Sequence, residues 1–352
     1  MATNSVGVPV GTPQFCVPGC GNEKYLMGAW DTLVRATVEQ EAVPHVADWE
    51  FADDLSSITW KIREGIQFHQ GYGELTAEDV AFSLNTTNAA TNPDSIHDNA
   101  GDFSGNYGET EVVDTYTART EITNYDSRAP LFLFSDFWQG IAISSKAVFD
   151  EHGAEDMREI FIGTGPFEVV EWRQNDQIEL KGVADHWHKS PSVETATLVE
   201  APEPSIRRAM FESGEAQLTR VELSDLPKVE EAYPTGRRTV MNQQEFISLG
   251  AGNYLETTNV KNGESLESPG FDPSLAWVGD PDAEGCDRDN LFGSATPADP
   301  PCESMENARK VREAMAITIP RADVNEALYA GSGSPSEIWD ISSDDPFFKD
   351  EW

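Results

Sequence analysis

Two hydrophobic periods alternate along this chain, and that alternation restricts its fold more than any other feature. Ile58, Trp60 and Ile62 alternate with Thr59, Lys61 and Arg63, the period-2 pattern of a half-buried strand, ended by Glu64-Gly65. Thr76-Ala77-Glu78-Asp79 reads as a capping box, and Ala77, Val80, Ala81 and Leu84 behind it fall at i, i+3, i+4 and i+7, which predicts a helix. Residues 86–108, rich in Asn, Asp, Gly and Ser, read as a loop. Tyr116, Ala118, Thr120 and Ile122 alternate as a further strand. Gly163-Thr164-Gly165-Pro166 punctuates the chain before strands at Phe167–Trp172 and Gln177–Val183. Ser205 is expected to cap a short helix with Ile206, Ala209 and Met210 on one face and Gly214 at its end, and Asp225 to Glu231 reads as another. Periodicity is lost over residues 250–303. It returns at Asn307 with Ala308, Val311, Met315 and Thr318, and a second helix is expected from Pro320 to Gly331. Strands and helices interspersed in this way give an α/β or α+β class.

Charge narrows the partners. With 24 basic and 62 acidic residues the chain carries a formal −38, which repels phosphate backbones and anionic membrane surfaces alike. The acids are dispersed, not gathered in a tail, so they coat a folded surface; 39% apolar and 10% aromatic residues argue against disorder. Such a surface repels itself and tolerates high salt, which points to a saline environment. At 352 residues there is room for two or three domains. No window approaches ~18 consecutive apolar residues, so no segment reads as a membrane-spanning helix.

Four cysteines, Cys16, Cys20, Cys286 and Cys302, allow three pairings, of which two local bridges, 16–20 and 286–302, are the simplest. Local disulfides imply an oxidising compartment outside the cytoplasm. Met1 to Phe15 lacks the basic and apolar regions of a signal peptide, so any export signal is expected to lie outside this sequence.

Motifs that could carry chemistry are sparse. Asp185-His186-Trp187-His188 would put two histidines on one face if it were a strand, but no third metal ligand is identifiable, and a surface loop is the plainer reading. Asp280, Asp282, Glu284 and Gly285 imitate the first half of a calcium loop, yet Leu291 stands where its bidentate acid belongs. Gly163-Thr164-Gly165 lacks the third glycine of a dinucleotide fingerprint and precedes a strand. His69, alone after a strand, reads as structural. There is no nucleophile elbow and no phosphate-binding loop. Nothing argues for an enzyme, and the expectation is no catalytic residue, no metal and no cofactor.

Ordered segments are more specific than any single motif. Trp30-Asp31-Thr32-Leu33-Val34-Arg35 is followed by Val43-Pro44-His45-Val46-Ala47-Asp48-Trp49. Then come Ile58-Thr59-Trp60-Lys61-Ile62-Arg63-Glu64-Gly65-Ile66-Gln67-Phe68-His69 and Leu75-Thr76-Ala77-Glu78-Asp79-Val80. Ile162-Gly163-Thr164-Gly165-Pro166-Phe167, Asp185-His186-Trp187, Phe211-Glu212-Ser213-Gly214-Glu215 and Ala308 to Ala330 continue the series. Together they resemble family 5 of the extracellular solute-binding proteins, the oligopeptide, dipeptide and nickel binders of ABC importers.

The resemblance implies a type II periplasmic-binding-protein fold of two α/β lobes that close on a ligand without chemistry. On that pattern residues 1–28 start lobe I, 29–155 form its strand-rich subdomain, 156–249 continue it, 250–303 form an insertion or hinge linker, and 304–352 begin lobe II. Family members continue well beyond such a point, so the sequence is expected to be part of a longer protein, with lobe II incomplete. Small peptides are the implied ligand and ABC permease subunits the implied partner. The implied location is periplasmic or extracellular, at the cell surface, with membrane contact only through the permease or a lost lipid anchor, as a monomer. A nickel, metal-chelate or sugar binder on the same fold is the alternative, and a secreted hydrolase a third reading. Placed on this sequence, the first-lobe side of the cleft falls at Asn22, Tyr25, Phe103, Tyr107, Trp138 and Gln139.

Overall fold

A computed structural model of the chain describes residues 1–3, 6, 12, 28–37, 41–97, 100–136, 140–222, 225–233, 260–261, 264–265, 275–287, 300–329 and 331. They form two compact units, Met1–Glu222 and Leu223–Trp352.

The first unit opens with β1 (Ala2–Thr3), followed by the small hairpin of β2 (Val34–Ala36) and β3 (Ala42–Pro44). Next come β4 (Ala47–Phe51), β5 (Ser57–Ile62), α1 (Ala77–Thr87) and α2 (Ala100–Asn106). Then follow β6 (Tyr107–Asp114), β7 (Thr117–Ile122), α3 (Ala129–Phe132) and α4 (Lys146–Asp156). The unit ends with β8 (Phe167–Arg173), β9 (Gln177–Gly182), β10 (Thr195–Glu200) and α5 (Pro204–Glu212). Two four-stranded sheets result. One has the order β4-β5-β7-β6 and is antiparallel throughout; the other has the order β1-β10-β9-β8, with only the β1–β10 pair parallel.

Strand β5 buries Ile58, Trp60 and Ile62 and turns Ser57, Thr59 and Lys61 outward, as its alternation requires. The Trp60 indole N–H donates to Thr120 Oγ1 at 3.0 Å, which gives a polar handle in the core its partner on β7. The α1 capping box is complete: Thr76 Oγ1 accepts from Glu78 N at 3.3 Å and Asp79 Oδ2 from Thr76 N at 2.9 Å. The other Asp79 oxygen accepts from Lys146 N at 2.9 Å, so this one carboxylate ties the start of α1 to the start of α4.

Three expectations need correction. Residues 86–108 are not all loop, because α2 and the start of β6 lie there. Helix α2 has the weak propensities of Gly, Asn and Ser, but Phe103 is fully buried and stacks on Tyr107 at 4.9 Å, so aromatic packing overrides composition. Helix α5 begins at Pro204 behind Glu203 without a side-chain cap, so Ser205 does not cap it. Ile206 is 51% exposed, whereas its neighbour Arg207 is 2% exposed. The Arg207 guanidinium is held by Ala201 O at 2.9 Å, Pro202 O at 2.6 Å and Glu222 Oε1 at 2.9 Å, and full satisfaction is what allows its burial.

The second unit holds α6 (Leu226–Ala232), the two-residue pair β11 (Val260–Lys261) and β12 (Glu264–Ser265), α7 (Glu303–Thr318) and α8 (Arg321–Tyr329). Helix α7 starts four residues before the expected Asn307, and it buries Met305 and Ala308. Cys286 and Cys302 are joined by a disulfide that sits with Leu275, Val278 and Met305 in a small apolar cluster. Cys16 and Cys20 lie outside the described residues. Among the described residues no helix is long and apolar enough to cross a membrane.

Candidate functional site

The most elaborate polar arrangement in the first unit centres on Asp31. The residue lies just before β2, and the β2–β3 hairpin folds the chain back so that His45 N donates to Leu33 O at 3.2 Å. That return puts the His45 ring over Asp31, with Nε2 2.9 Å from Asp31 Oδ1. A second approach comes from the loop before β8. Gly165 N donates to Ala29 O at 2.9 Å and Phe167 N to Gly28 O at 2.8 Å, which lays residues 163–167 alongside 28–30. The glycines permit this closeness. A Cβ on Gly163 would sit 2.1 Å from Ala29 O and 2.8 Å from the Trp30 ring, and one on Gly165 would sit 2.7 Å from Gly28 O.

The register carries Thr164 to Asp31, where its hydroxyl donates to Oδ2 at 3.0 Å. His69 clamps the loop from its other side. Its Nε2 is 2.8 Å from Gly165 O, and Gly163 N donates to Nδ1 at 3.4 Å, so Nε2 carries the proton and both nitrogens are used. Burial depresses the His69 pKa, which keeps the ring neutral. A third approach comes from the loop after β9, where the Trp187 indole N–H donates to Asp31 Oδ2 at 3.1 Å. His186 Nε2 donates to Thr164 O at 3.0 Å and lies 3.8 Å from Asp31 Oδ2, while its Nδ1 accepts from Lys189 N at 3.3 Å.

Asp31 is 5% exposed and has three direct donors. Burial alone would raise its pKa, but the His186 and His45 rings and the Trp187 N–H outweigh burial and hold the carboxyl well below the usual carboxylate range. The ionised form accepts only, so His45 Nε2 must carry a proton. His45 Nδ1 is then the outer atom of a carboxylate–imidazole pair, and it is buried without a hydrogen-bond partner.

A cavity of about 430 Å³ opens beside this cluster. Trp30, Asp31, Thr32, Arg35, His45, Asp136, Phe167, His186, His188 and Lys189 line it together with the loop to Val193. The His45 and His188 rings lie with centroids 5.3 Å apart, tilted at 57° to one another. The His188 pKa is lowered, first by desolvation and then by the neighbouring His45 and Arg35. Arg35 Nε lies 3.7 Å from Asp136 Oδ2, so both signs of charge are present at the edge.

Phe103 and Tyr107 are core side chains, packed edge-on against Phe134 at 5.7 and 5.3 Å, and neither lines the cavity. Asn22, Tyr25, Trp138 and Gln139 lie outside the described residues. His186 and His188 do not share a strand face: 185–188 is a turn, and both His186 nitrogens are committed. Among the described residues no group of three His, Cys, Asp or Glu side chains is placed to hold a metal ion. Asp280 Oδ1 accepts from Asp282 N at 2.9 Å, a local turn bond within the calcium-like segment. Asp31, His45, Thr164 and Trp187 were missed as a site, although each stands inside a segment that carried the family resemblance.

Comparison with known proteins agrees with this architecture. The dipeptide-binding protein of Escherichia coli (strain K12) is 25% identical over 235 residues, 61% of this chain and 43% of that protein. The glutathione-binding protein GsiB of Salmonella typhi is 28% identical over 169 residues, 47% of this chain and 31% of that protein. The chain thus spans less than half the length of these relatives. Among solved structures, the mannopinic-acid complex of MoaA from A. tumefaciens R10 matches with a TM-score of 0.58 at 24% identity, over 66% of this chain and 47% of the other. DppA from Helicobacter pylori, in complex with the peptide STSA, matches with a TM-score of 0.56 at 23% identity, over 65% and 48%. The fold is therefore that of the type II periplasmic binding proteins. The model of the bacterial extracellular solute-binding proteins, family 5, matches residues 41–352, and the chain belongs to that family.

Proposed function

We propose that the protein of which this chain forms part is the substrate-binding component of an ABC importer. It captures small peptides between two lobes and delivers them to a membrane permease, without chemistry. The observation that carries this reading is the family match over 41–352, joined by relatives named for dipeptide and glutathione binding. The first unit supplies a rigid α/β lobe whose loops are pinned by buried polar contacts, the kind of body that moves as a unit in hinged closure. Asn22, Tyr25, Trp138 and Gln139 are assigned to the cleft by family pattern. The protein acts outside the cytoplasm as a monomer, and its −38 charge suits saline surroundings.

The test is calorimetry with dipeptide and tripeptide mixtures on the protein extended with its downstream coding sequence, followed by mass spectrometry of the recovered ligand. Saturable binding with intact peptides recovered is the expected result. Peptide cleavage that disappears on substitution of a cleft residue would overturn the reading, as would binding of none of the peptides.

A further inference from the structure

The exposed polar groups that line the cavity are unevenly committed, and the uncommitted ones share a sign. Asp136 accepts from Ala36 N at 2.8 Å with Oδ1 and faces Arg35 with Oδ2. Asp31 is held at depth by three donors. His186 uses both ring nitrogens, and Thr32 Oγ1 donates to Val34 O. Arg35 and Lys189 remain. The Arg35 guanidinium meets Asp136 at 3.7 Å, beyond hydrogen-bond distance, and its side chain is 51% exposed. The Lys189 ammonium has no hydrogen bond and no ion pair among the described residues. By contrast Lys61 and Arg173, exposed cations on the two sheets, are paired at 2.8 Å with Glu50 and at 2.6 Å with Asp176. Two loosely held cations at one cavity stand out in a chain of 24 basic and 62 acidic residues.

The rest of the lining limits the kind of anion. Trp30, Pro166, Phe167, Pro191 and Val193 contribute to the same cavity, so part of its surface is apolar. The volume, about 430 Å³, lies within the range of about 300–1,000 Å³ occupied by small-molecule sites, which combine such surface with a few polar groups. Arg35 offers a planar fork that matches a carboxylate with two parallel N–H···O bonds, and Lys189 offers a point charge. An inorganic anion would use the charges and leave the apolar surface to water. An uncharged apolar molecule would leave the cations unmet, and an amine would be repelled by them.

We infer that the cavity lined by β2 and residues 186–193 binds a small organic carboxylate, with its charged group on Arg35 and Lys189 and its apolar body in the cavity. All of these residues lie in the first unit, so the site does not rest on the peptide-capture reading.

Benzoate is the probe. Benzyl alcohol is its uncharged counterpart, benzylamine its cationic one, and inorganic phosphate an anion with no apolar body. Each is titrated at constant ionic strength into the 15N-labelled 352-residue chain and read at the Arg35 Nε–H resonance, assigned by its loss in Arg35→Gln. Benzoate should shift that resonance saturably, and the other probes should bind at least about tenfold more weakly. Lys189→Gln removes a charge that no described residue holds, so the fold is unaffected, and benzoate should weaken about three- to tenfold. Asp136→Asn keeps an acceptor for Ala36 N but removes the negative charge beside Arg35, so benzoate should tighten about two- to fivefold. Three results would overturn the inference: no saturable shift with benzoate; benzyl alcohol, benzylamine or phosphate bound as tightly as benzoate; or benzoate affinity unchanged in Lys189→Gln.

Discussion

Substitution of Asp31 by alanine is the sharpest test of how the first unit is held together. The carboxylate receives His45 Nε2 at 2.9 Å, Thr164 Oγ1 at 3.0 Å and Trp187 Nε1 at 3.1 Å. Hydrogen bonds to a charged group are worth about 1.5–3 kcal/mol each, so three would sum to more than about 4 kcal/mol if they were independent. They share one acceptor group and are not independent. Each donor left buried without its acceptor costs about 1–3 kcal/mol, so with partial relaxation Asp31→Ala should cost about 4 kcal/mol. For a body of about this size, each kcal/mol moves the melting temperature by about 2–4 °C, which gives a fall of about 8–16 °C. Asp31→Asn should cost about half as much, because its oxygen still accepts and His45 can change tautomer to meet the amide N–H.

Thermal unfolding followed by near-ultraviolet circular dichroism reads the result, since Trp187 and Trp30 flank the site. The same group dictates a pH dependence. The folded pKa of Asp31 is depressed, so its stabilising contribution is complete above the unfolded value of about 3.9 and fades as pH falls toward the folded value. The gap in melting temperature between native chain and Asp31→Asn should therefore be constant from pH 8 to about pH 5 and narrow below about pH 4. A fall of less than about 3 °C for Asp31→Ala, or a gap that widens in acid, would refute the argument.

The remaining predictions concern other links in the chain of causes. Gly163→Ala should destabilise the first unit by about 1–3 kcal/mol, because its new Cβ meets backbone at Ala29 O and the Trp30 ring; chemical denaturation measures it. Reduction of Cys286–Cys302, sixteen residues apart in sequence, should cost the second unit about 3 kcal/mol, read as earlier proteolysis between residues 275 and 302 in dithiothreitol. Sodium chloride raised from 0.1 to 1 M shortens the Debye length from about 10 to about 3 Å, so at −38 the melting temperature should rise; a flat or falling curve would contradict the saline reading.

Local periodicity was legible where an element needs only its own face. Strands β5, β7, β8 and β9 and the capping box of α1 stand where alternation and spacing put them, because each buries one stripe against one neighbour. The failures share a cause: a distant partner overrides local composition. Helix α2 forms because Phe103 finds Tyr107 and Phe134, and Arg207 displaces Ile206 from the buried face because two carbonyls and Glu222 await it. The Asp31 cluster is the extreme case. Its donors come from 14, 133 and 156 residues away. No window of sequence contains two of them with the acceptor, apart from the His45 pair. The ordered segments that carried the family resemblance did contain all of them, so the resemblance was a record of contacts that spacing could not show.

Acid count misleads in the same way. Sixty-two carboxylates say nothing about which one matters, yet among the described residues only Asp31 and Asp79 are buried. Both are fully hydrogen-bonded, as burial demands. Their pKa values move in opposite directions. Burial dominates at Asp79, whose partners are backbone N–H groups and a threonine hydroxyl, and its pKa is raised. Burial is outweighed at Asp31, where the partners include imidazoles, and its pKa is lowered. Asp79 therefore acts as a helix cap that also ties α1 to α4, and nothing beyond that is required of it. Asp31 stays ionised at depth and fixes which His45 nitrogen carries the proton that faces it. The difference between the two acids lies in their partners, which include imidazole rings at Asp31 and are backbone N–H groups and a hydroxyl at Asp79.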